Sequence, residues 1–320
     1  MLRLGNTDIN ALGNNINKAY LGSIEVFGNQ FISLWQTTTA NETITLPTPT
    51  NYRVDWGDGT VTTNTNSHEY ALSGQYVIKI RGEITDFKFN NTGDKLKILD
   101  VSKIGGFIMS NATFYGCENI TFIQDDFKVS STSLGSTFRD CLSLNSPMDS
   151  LNVTGVTVMT STFRNASIFN QDLDNLDTSS VLTISGCFYQ ATVFNGNISS
   201  WDVSNLESIS TAFFRASNFN GDLSSWVTTS LTNCSGAFQE ATLFNSDIGD
   251  WDVSNVLFMN NMLRQTSFNH PLNLWDTSKV ESMELMFFLT TSFNQPLDNW
   301  SFVSVTNINN FMLLKTANDY

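Results

Sequence analysis

A repeat of about 25 residues fills the C-terminal half of the chain and constrains its fold more than any other feature. The dipeptide Phe-Asn recurs at spacings of 25, 25, 25, 24 and 25 residues, beginning at Phe169, Phe194, Phe219, Phe244, Phe268 and Phe293. Five tryptophans follow seven residues after a repeat Phe: Trp201, Trp226, Trp251, Trp275 and Trp300. No unit of this length can bury its own apolar face, so neighbouring units must stack on one another.

Within one unit the apolar spacing changes. From Val181 to Phe194 the apolar residues are separated by steps of 3, 4, 3 and 3, which indicates a helix, and Ser, Thr or Asn precedes them as an N-cap. Between Phe194 and Trp201 the sequence is short and polar, which favours a strand-like segment. We therefore predict an α/β solenoid in residues 98–320, with one short helix and one short strand in each of about seven or eight units.

The repeat also resembles a known family. Its pattern, Phe-Asn-x-x-Leu/Ile-x-x-Trp-Asp-Val/Thr-Ser-Asn-Val-x-x-Met-x-x-x-Phe-x-x-Ala, is similar to the surface-protein repeat of the BspA-like leucine-rich-repeat group. The resemblance is clearest over residues 138–313 and implies a solenoid with leucine-rich-repeat architecture, used in surface recognition or adhesion, with no catalytic residues. Leu144, Leu151 and Ser301 depart from the pattern, so the units that contain them are expected to be caps.

Residues 31–97 are rich in β-forming residues and turn signals. The run Val54–Thr60 contains Trp-Gly-Asp-Gly-Thr, His68 and Tyr70 follow as His-x-Tyr, and residues 74–80 alternate as a strand does. These elements resemble the PKD domain, an Ig-like β-sandwich. The resemblance implies a spacer or adhesive module in which His68 has a structural role.

Residues 1–30 contain a short duplication. Leu4-Gly5-Asn6-Thr7-Asp8-Ile9 matches Leu21-Gly22-Ser23-Ile24-Glu25-Val26 at an offset of 17 residues, and each copy is too small to fold alone. The duplication resembles N-terminal segments of tailed-phage virion proteins. It implies a docking or oligomerisation segment that contacts other virion proteins and assembles a homo-oligomer, with a trimer expected from fibre-like proteins. The expected docking residues are Leu4, Ile9, Leu21, Ile24 and Val26.

Charge and composition exclude several classes of function. The chain has a net charge of −14, which repels phosphate backbones, so we expect no nucleic-acid partner. Its four cysteines show no metal-ligand spacing, and we predict neither a metal nor a cofactor; Cys117 and Cys141 fall in a column of alanines and are interpreted as core residues. No apolar run is long enough to span a membrane. The N-terminus lacks a signal-peptide pattern, so we expect no signal-dependent export.

The residues offer little for catalysis and more for binding. Only His68 and His270 could act as histidine bases, and no nucleophile motif accompanies them, so we predict a non-enzymatic protein. Two surfaces are candidates for ligand binding. One is a column of Arg and aromatic residues, Arg164, Tyr189, Phe214, Arg264 and Phe288, together with Arg139 and Gln239. The other is a set of loop carboxylates, Asp172, Asp222 and Asp247.

Together these features predict a virion structural protein of a tailed bacteriophage, of the adhesin or fibre type. It would dock through its N-terminus, present its solenoid to a glycan or protein of the host surface, and lie on the virion surface after assembly in the host cytoplasm. One alternative is a bacterial adhesin on the cell surface. Another is a phage depolymerase that hydrolyses host polysaccharide with paired carboxylates.

Overall fold

A computed structural model of the chain describes residues 30–48, 52–82, 84, 86–105, 107–124, 128–129 and 131–312, together with four short strands before residue 29. Those four strands form two antiparallel pairs, β1 with β2 and β3 with β4: β1 (Arg3–Leu4), β2 (Thr7–Asp8), β3 (Lys18–Leu21) and β4 (Ile24–Gly28).

Ten more strands follow between residues 30 and 129. They are β5 (Gln30–Thr37), β6 (Glu42–Thr45), β7 (Tyr52–Asp55), β8 (Val61–Thr63), β9 (Ser67–Tyr70), β10 (Gly74–Gly82), β11 (Ile98–Lys103), β12 (Ile108–Met109), β13 (Phe122–Ile123) and β14 (Lys128–Val129). Six of them form one sheet in the order β13-β11-β5-β10-β7-β8, in which only β11 and β13 are parallel. The pairs β6-β9, antiparallel, and β12-β14, parallel, form two further sheets.

Strand β5 lies inside the six-stranded sheet and pairs with β10 on one side and β11 on the other. Its side chains alternate between buried and half-buried, as expected for a strand with one face against a core. The buried indole of Trp35 donates a hydrogen bond of 2.7 Å to Ser33 Oγ. The sheet therefore supplies its own polar partners on the buried face.

The C-terminal part of the chain forms a stack of repeat units, and the bonds between units begin with Ala112 N–H, which donates to the Gly135 carbonyl. Parallel bridges connect each unit to the next, along the series Ser133, Val158, Thr183, Ser208, Asn233, Phe258, Ser282 and Asn307. Beside this series, Phe163, Phe188, Phe213 and Phe238 are fully buried, and their rings stack at centroid distances of 5.4 to 5.6 Å. A second set of rings, from Phe169 to Phe293, stacks at 5.9 to 6.2 Å.

The helix predicted in each unit is wrong. The described residues contain no helix, and so no helix that could cross a membrane. The chain is β-rich with mixed sheets, and this replaces the predicted α/β solenoid with an N-terminal Ig-like β-sandwich. The six-stranded sheet also runs across residue 97, because β11 pairs with β5 while β13 comes from the repeat region.

Hydrogen bonding explains why a helical period gives no helix. In one unit, alternate N–H groups donate to carbonyls of the next unit: Ile184 to Ser208, Gly186 to Ser210, Phe188 to Ala212 and Gln190 to Phe214. The N–H groups of Cys187, Tyr189 and Ala191 instead donate to a carbonyl of their own unit, that of the residue three positions earlier. Tight turns with this i to i−3 pattern bury a residue about every third position, which sequence spacing alone does not distinguish from the helical period.

Two left-handed residues in each unit stop any helix from forming. The first column has φ near +50° to +61° at Ser136, Ser161, Gly186, Thr211, Gly236, Asn261, Leu285 and Asn310. The second has φ of +55° to +61° at Asp140, Asn165, Gln190, Arg215, Glu240, Gln265 and Leu289. A residue other than glycine in this region is uncommon, so these turns are held by the bonds between units.

The sheets and the stack share a continuous core. Phe87 contacts Phe31 at a centroid distance of 4.9 Å and Phe114 at 6.4 Å, and Phe114 stacks on Phe138 of the first units. Val101 of β11 lies opposite Ile123 of β13, which continues the buried Leu/Ile column of the repeats. The six-stranded sheet therefore covers the N-terminal end of the stack.

Candidate functional site

The Arg–aromatic stripe is the column of residues that directly follows the buried phenylalanine of each unit, or Leu263 where leucine takes its place. It comprises Tyr115, Arg139, Arg164, Tyr189, Phe214, Gln239, Arg264 and Phe288, all half-buried. Each member lies between a buried residue and the second left-handed residue of its unit, so its side chain leaves the core beside its counterparts in the neighbouring units. The turn geometry therefore aligns these side chains in one row.

The guanidinium of Arg164 and the rings that follow it are packed face to face. Arg164 Cζ lies 3.9 Å from the centroid of the Tyr189 ring, and the Tyr189 and Phe214 rings stack at 4.5 Å. Because Arg164 belongs to the preceding unit and Phe214 to the following one, both faces of the Tyr189 ring are covered. The stripe therefore offers guanidinium and ring edges at this point, and a sugar could not stack on the face of Tyr189.

Three more arginines contact rings in the same part of the molecule. Cζ to centroid distances are 4.7 Å for Arg139 over Tyr115, 5.0 Å for Arg215 over Phe214 and 5.1 Å for Arg264 over Phe288. Cation–π contacts of this kind contribute about 0.5–1 kcal/mol each at exposed sites. They hold the cationic groups in fixed positions.

The charges of the stack are distributed unevenly. Residues 131–312 contain sixteen acidic and five basic side chains, and four of the five basic ones are the arginines Arg139, Arg164, Arg215 and Arg264. Three of these are members of the stripe, and Arg215 directly follows Phe214. Arg215 forms an ion pair with Glu240, with 2.7 Å between Nε and Oε2. The stripe therefore concentrates positive charge on a stack that is otherwise acidic.

The loop carboxylates predicted as a second candidate surface accept backbone N–H groups. Asp172 Oδ1 accepts the Asn197 N–H of the next unit at 2.7 Å, and Asp247 Oδ1 accepts the Gly249 N–H at 2.9 Å. Hydrogen bonds from the backbone and hydroxyl of Ser224 lower the pKa of Asp222. Within the described residues no group of three His, Cys, Asp or Glu side chains is placed to hold a metal ion.

The repeated asparagines connect the units along another edge. In each pair the side-chain oxygen of one Asn accepts the backbone N–H of the Asn in the next unit, at 2.7 to 3.0 Å, along Asn145, Asn170, Asn195, Asn220, Asn245, Asn269 and Asn294. The role of these asparagines is therefore structural, although most of their side chains are exposed. Each side chain accepts a backbone N–H group of the next unit and not one of its own unit.

His68 belongs to an aromatic cluster in the N-terminal sheets. Its ring stacks on Trp56 at 5.3 Å, and its Nε2 lies 2.7 Å from Asp58 Oδ2. Tyr70 Oη donates a hydrogen bond of 2.8 Å to the Trp56 carbonyl. Partial burial opposes ionisation of Asp58, but hydrogen bonds from His68 and Thr60 outweigh it and lower the pKa of this carboxyl. The Trp-Gly-Asp-Gly-Thr and His-x-Tyr motifs thus meet at one place.

The remaining residues singled out in the sequence have the following positions. His270 contacts the Asn245 carbonyl through Nε2 at 2.9 Å. The four cysteines are free and fully buried, and burial raises the pKa of the Cys187 and Cys234 thiols to about 12. Of the expected docking residues, Leu4 lies in β1, Leu21 in β3, and Ile24 and Val26 in β4, while Ile9 lies outside the described residues.

Tyr115 is a member of the stripe that the sequence reasoning missed. It directly follows Phe114 and lies 24 residues before Arg139, so it has the phase of the column. The Phe-Asn and Trp signals used to find the units do not extend that far towards the N-terminus. Its position directly after a phenylalanine is the signal that identifies it.

A stack of units of 24 or 25 residues, joined to N-terminal β-sheets through one core, defines this chain as a repeat protein. The chain belongs to the family described as "Mycoplasma protein of unknown function, DUF285", whose profile matches residues 108–226 and again residues 207–319. This match is compatible with the BspA-like repeat seen in the sequence. No curated protein and no solved structure gave a match.

Proposed function

We propose that this protein is a non-enzymatic recognition protein whose repeat stack binds a host-surface glycan or protein through the Arg–aromatic stripe. The observation that supports this most is that three arginines of the stripe, Arg139, Arg164 and Arg264, lie against aromatic rings on a stack with sixteen acidic side chains. Arg and aromatic residues are enriched where proteins bind partners. The loop carboxylates Asp172, Asp222 and Asp247, in contrast, accept backbone N–H groups of the chain itself.

We propose further that the protein is a tailed-phage virion component of the adhesin or fibre type, located on the virion surface. The support is the resemblance of residues 1–30 to virion-protein segments and the PKD-like motifs of residues 31–97. In this proposal residues 1–30 dock onto other virion proteins and assemble a homo-oligomer, and the PKD-like region separates the docking segment from the stripe.

A second candidate is a bacterial adhesin on the cell surface. The family that matches the repeats is described as a Mycoplasma protein, which favours a cellular origin over a virion. Mass spectrometry of purified particles, with the copy number of this chain, distinguishes the two candidates. If the chain is absent from the particles and present on cells, the virion proposal is wrong.

Binding through the stripe is tested with purified full-length protein carrying a fluorescent label and intact host cells. Phe214→Ser replaces a stripe residue, and Val227→Ser replaces an apolar residue that is 58% exposed and lies outside the stripe. We expect Phe214→Ser to weaken cell binding and Val227→Ser to leave it unchanged. Equal binding by both variants and the parent would contradict the use of the stripe.

Enzymatic function is tested in the same preparation. We expect the protein to leave host capsular polysaccharide at its original chain length. Shortening that is abolished by Asp172→Asn would support a depolymerase instead.

A further inference from the structure

The N-terminal half of the stripe contains two adjacent arginines held by tyrosines on their outer sides. Arg139 leans towards Tyr115 of the preceding unit, and Arg164 leans towards Tyr189 of the following unit. The two units are joined by hydrogen bonds between Asp140 N–H and the Arg164 carbonyl at 2.8 Å, and between Phe138 N–H and the Thr162 carbonyl at 2.9 Å. A ligand group lying between the two arginines therefore has a guanidinium on each side.

Polar atoms at this junction lack protein partners. Among the described residues, four buried side-chain nitrogen or oxygen atoms have no hydrogen-bond partner, and three of them lie here: Arg139 Nε, Arg164 Nε and Asn165 Oδ1. Buried polar atoms are nearly always paired, so a cluster of exceptions in two adjoining units calls for a specific reason. Ligand binding through the same guanidiniums is such a reason.

The charge balance at the junction points to an anion. The nearest carboxylate is Asp140, whose Oδ2 lies 3.7 Å from Arg139 Nε and whose Oδ1 accepts Asn165 Nδ2 at 2.6 Å. Arg164 has no acidic partner and no hydrogen-bond acceptor within the part of the chain that the structure describes. Arg215, by comparison, is neutralised by Glu240 at 2.7 Å. The junction therefore holds two guanidiniums, and only that of Arg139 lies near a carboxylate.

We propose that Arg139 and Arg164, positioned by Tyr115 and Tyr189, form a binding site for one oxyanion group of the ligand, a carboxylate, sulfate or phosphate. A guanidinium matches such groups in shape and donates two parallel hydrogen bonds to them. The acidic surface of the stack disfavours long polyanions, because their other charges would be repelled. The site therefore selects a ligand with an isolated anionic group.

The test titrates purified full-length protein with sodium sulfate, inorganic phosphate, glucuronate and uncharged glucose at constant ionic strength. The readout is the NMR signals of the arginine Nε–Hε groups. We expect saturable shifts of the Arg139 and Arg164 signals with at least one anion, with a dissociation constant of about 1 mM, and none with glucose. The anion that binds most tightly identifies the oxyanion.

Substitutions separate this site from general attraction of anions. Arg164→Gln is expected to weaken anion binding about tenfold or more, because it removes charge-assisted hydrogen bonds. Arg215→Gln removes the same charge where Glu240 already compensates it, and is expected to leave binding unchanged. Arg139→Gln provides a second variant if Arg164→Gln unfolds. Linear, unsaturable shifts, or equal losses in Arg164→Gln and Arg215→Gln, would overturn the site.

The biological role of this site rests on the proposed recognition function. The experiments nevertheless distinguish failure of the anion site from failure of the recognition function. Anion binding without any binding to host cells would contradict the recognition function alone. Host-cell binding that persists in Arg164→Gln, with no anion binding in the parent protein, would contradict the anion site alone.

Discussion

The N-terminal sheets and the repeat stack bury their apolar side chains in different ways. In the sheets the large buried residues lie outside the repeat columns: Trp35 and Trp56, both fully buried, are the two tryptophans that no repeat unit contains. In the stack, Phe188, Phe213 and Phe238 occupy copies of one environment and contact one another. The sheets therefore depend on unique long-range pairings, whereas the stack adds equivalent contacts between neighbours.

The two regions are nevertheless connected. The Phe31, Phe87 and Phe114 rings carry the core from β5 into the repeats, and β11 and β13 carry the sheet. The comparison therefore predicts that damage to the sheets spreads into the stack, and that damage to the stack depends on how many neighbours a unit has.

The largest effect is expected from Trp35→Ala in β5. Removing this fully buried side chain should lower the free energy of unfolding by about 3–5 kcal/mol. Because β5 pairs with both β10 and β11, we expect one cooperative transition in urea, with the sheets and the stack unfolding together. Circular dichroism and tryptophan fluorescence would measure it. Val77→Ala, at a side chain 45% exposed, is the control and should change stability by about 0.5 kcal/mol or less. Two separate transitions would show that the regions fold independently.

A smaller effect is expected inside the stack, and its size should depend on position. Phe219, in the second set of rings, contacts four other rings, those of Phe194, Phe213, Phe238 and Phe244. Phe219→Ala should therefore cost about 3–4 kcal/mol.

Phe293 is the last ring of the same set and is the matched control. It contacts only the Phe268 and Phe287 rings among the described residues, so Phe293→Ala should cost about 1–2 kcal/mol. Equal losses of unfolding free energy in Phe219→Ala and Phe293→Ala would contradict a nearest-neighbour account of the stack.

The asparagine column tests the polar edge of the same stack. Asn220→Ala removes the oxygen that accepts the Asn245 N–H at 2.7 Å, and should cost about 0.5–1.5 kcal/mol. Asn220→Asp retains an acceptor at that place and should be closer to the parent in thermal unfolding. If both variants lose the same amount, the hydrogen bond between units is not the cause.

The smallest effect concerns the pH dependence of the sheets. Hydrogen bonds from the Thr38 backbone and from Lys97 lower the pKa of Glu42 from 4.5 to about 2. Because the folded-state pKa lies below the ordinary value, the ionised Glu42 stabilises the fold above pH 4.5, and this stabilisation declines as the pH falls towards 2.

Glu42→Gln should therefore lower stability at neutral pH and differ less from the parent as the pH approaches 2. Urea unfolding of both proteins across this pH range would measure the difference. A difference that does not change with pH would show that the loss of charge is not what destabilises the variant.

The sequence predicts which residues of the stack are buried, but it does not predict the backbone conformation of the units or the hydrogen bonds between them. The buried Phe and Trp columns follow from phase alone, and each indole of Trp201 to Trp300 is at most 6% exposed. The sequence could not show that these indoles donate to carbonyls of the preceding unit, as Trp201 Nε1 does to the Leu173 carbonyl at 2.8 Å. Such partners depend on the register between units, which spacing within one unit does not contain.

The candidate site divides in the same way. Arg164, Tyr189, Phe214, Arg264 and Phe288 were predicted as one column, because side chains in phase lie together in any stack. Which of their surfaces remain open was decided by the tertiary structure: stacking of Arg164 and Phe214 on Tyr189 covers the ring faces and leaves edges.

The sequence by itself determined that this chain is built from equivalent units and which side chains are buried in each, since burial repeats with the period of the residues. Only the tertiary structure decided that the units are turns and not helices. The reason is that the steps from Ile184 to Phe194 fit both, and the outcome depends on whether alternate N–H groups bond within the unit or to the next one. In this chain they bond to the next unit.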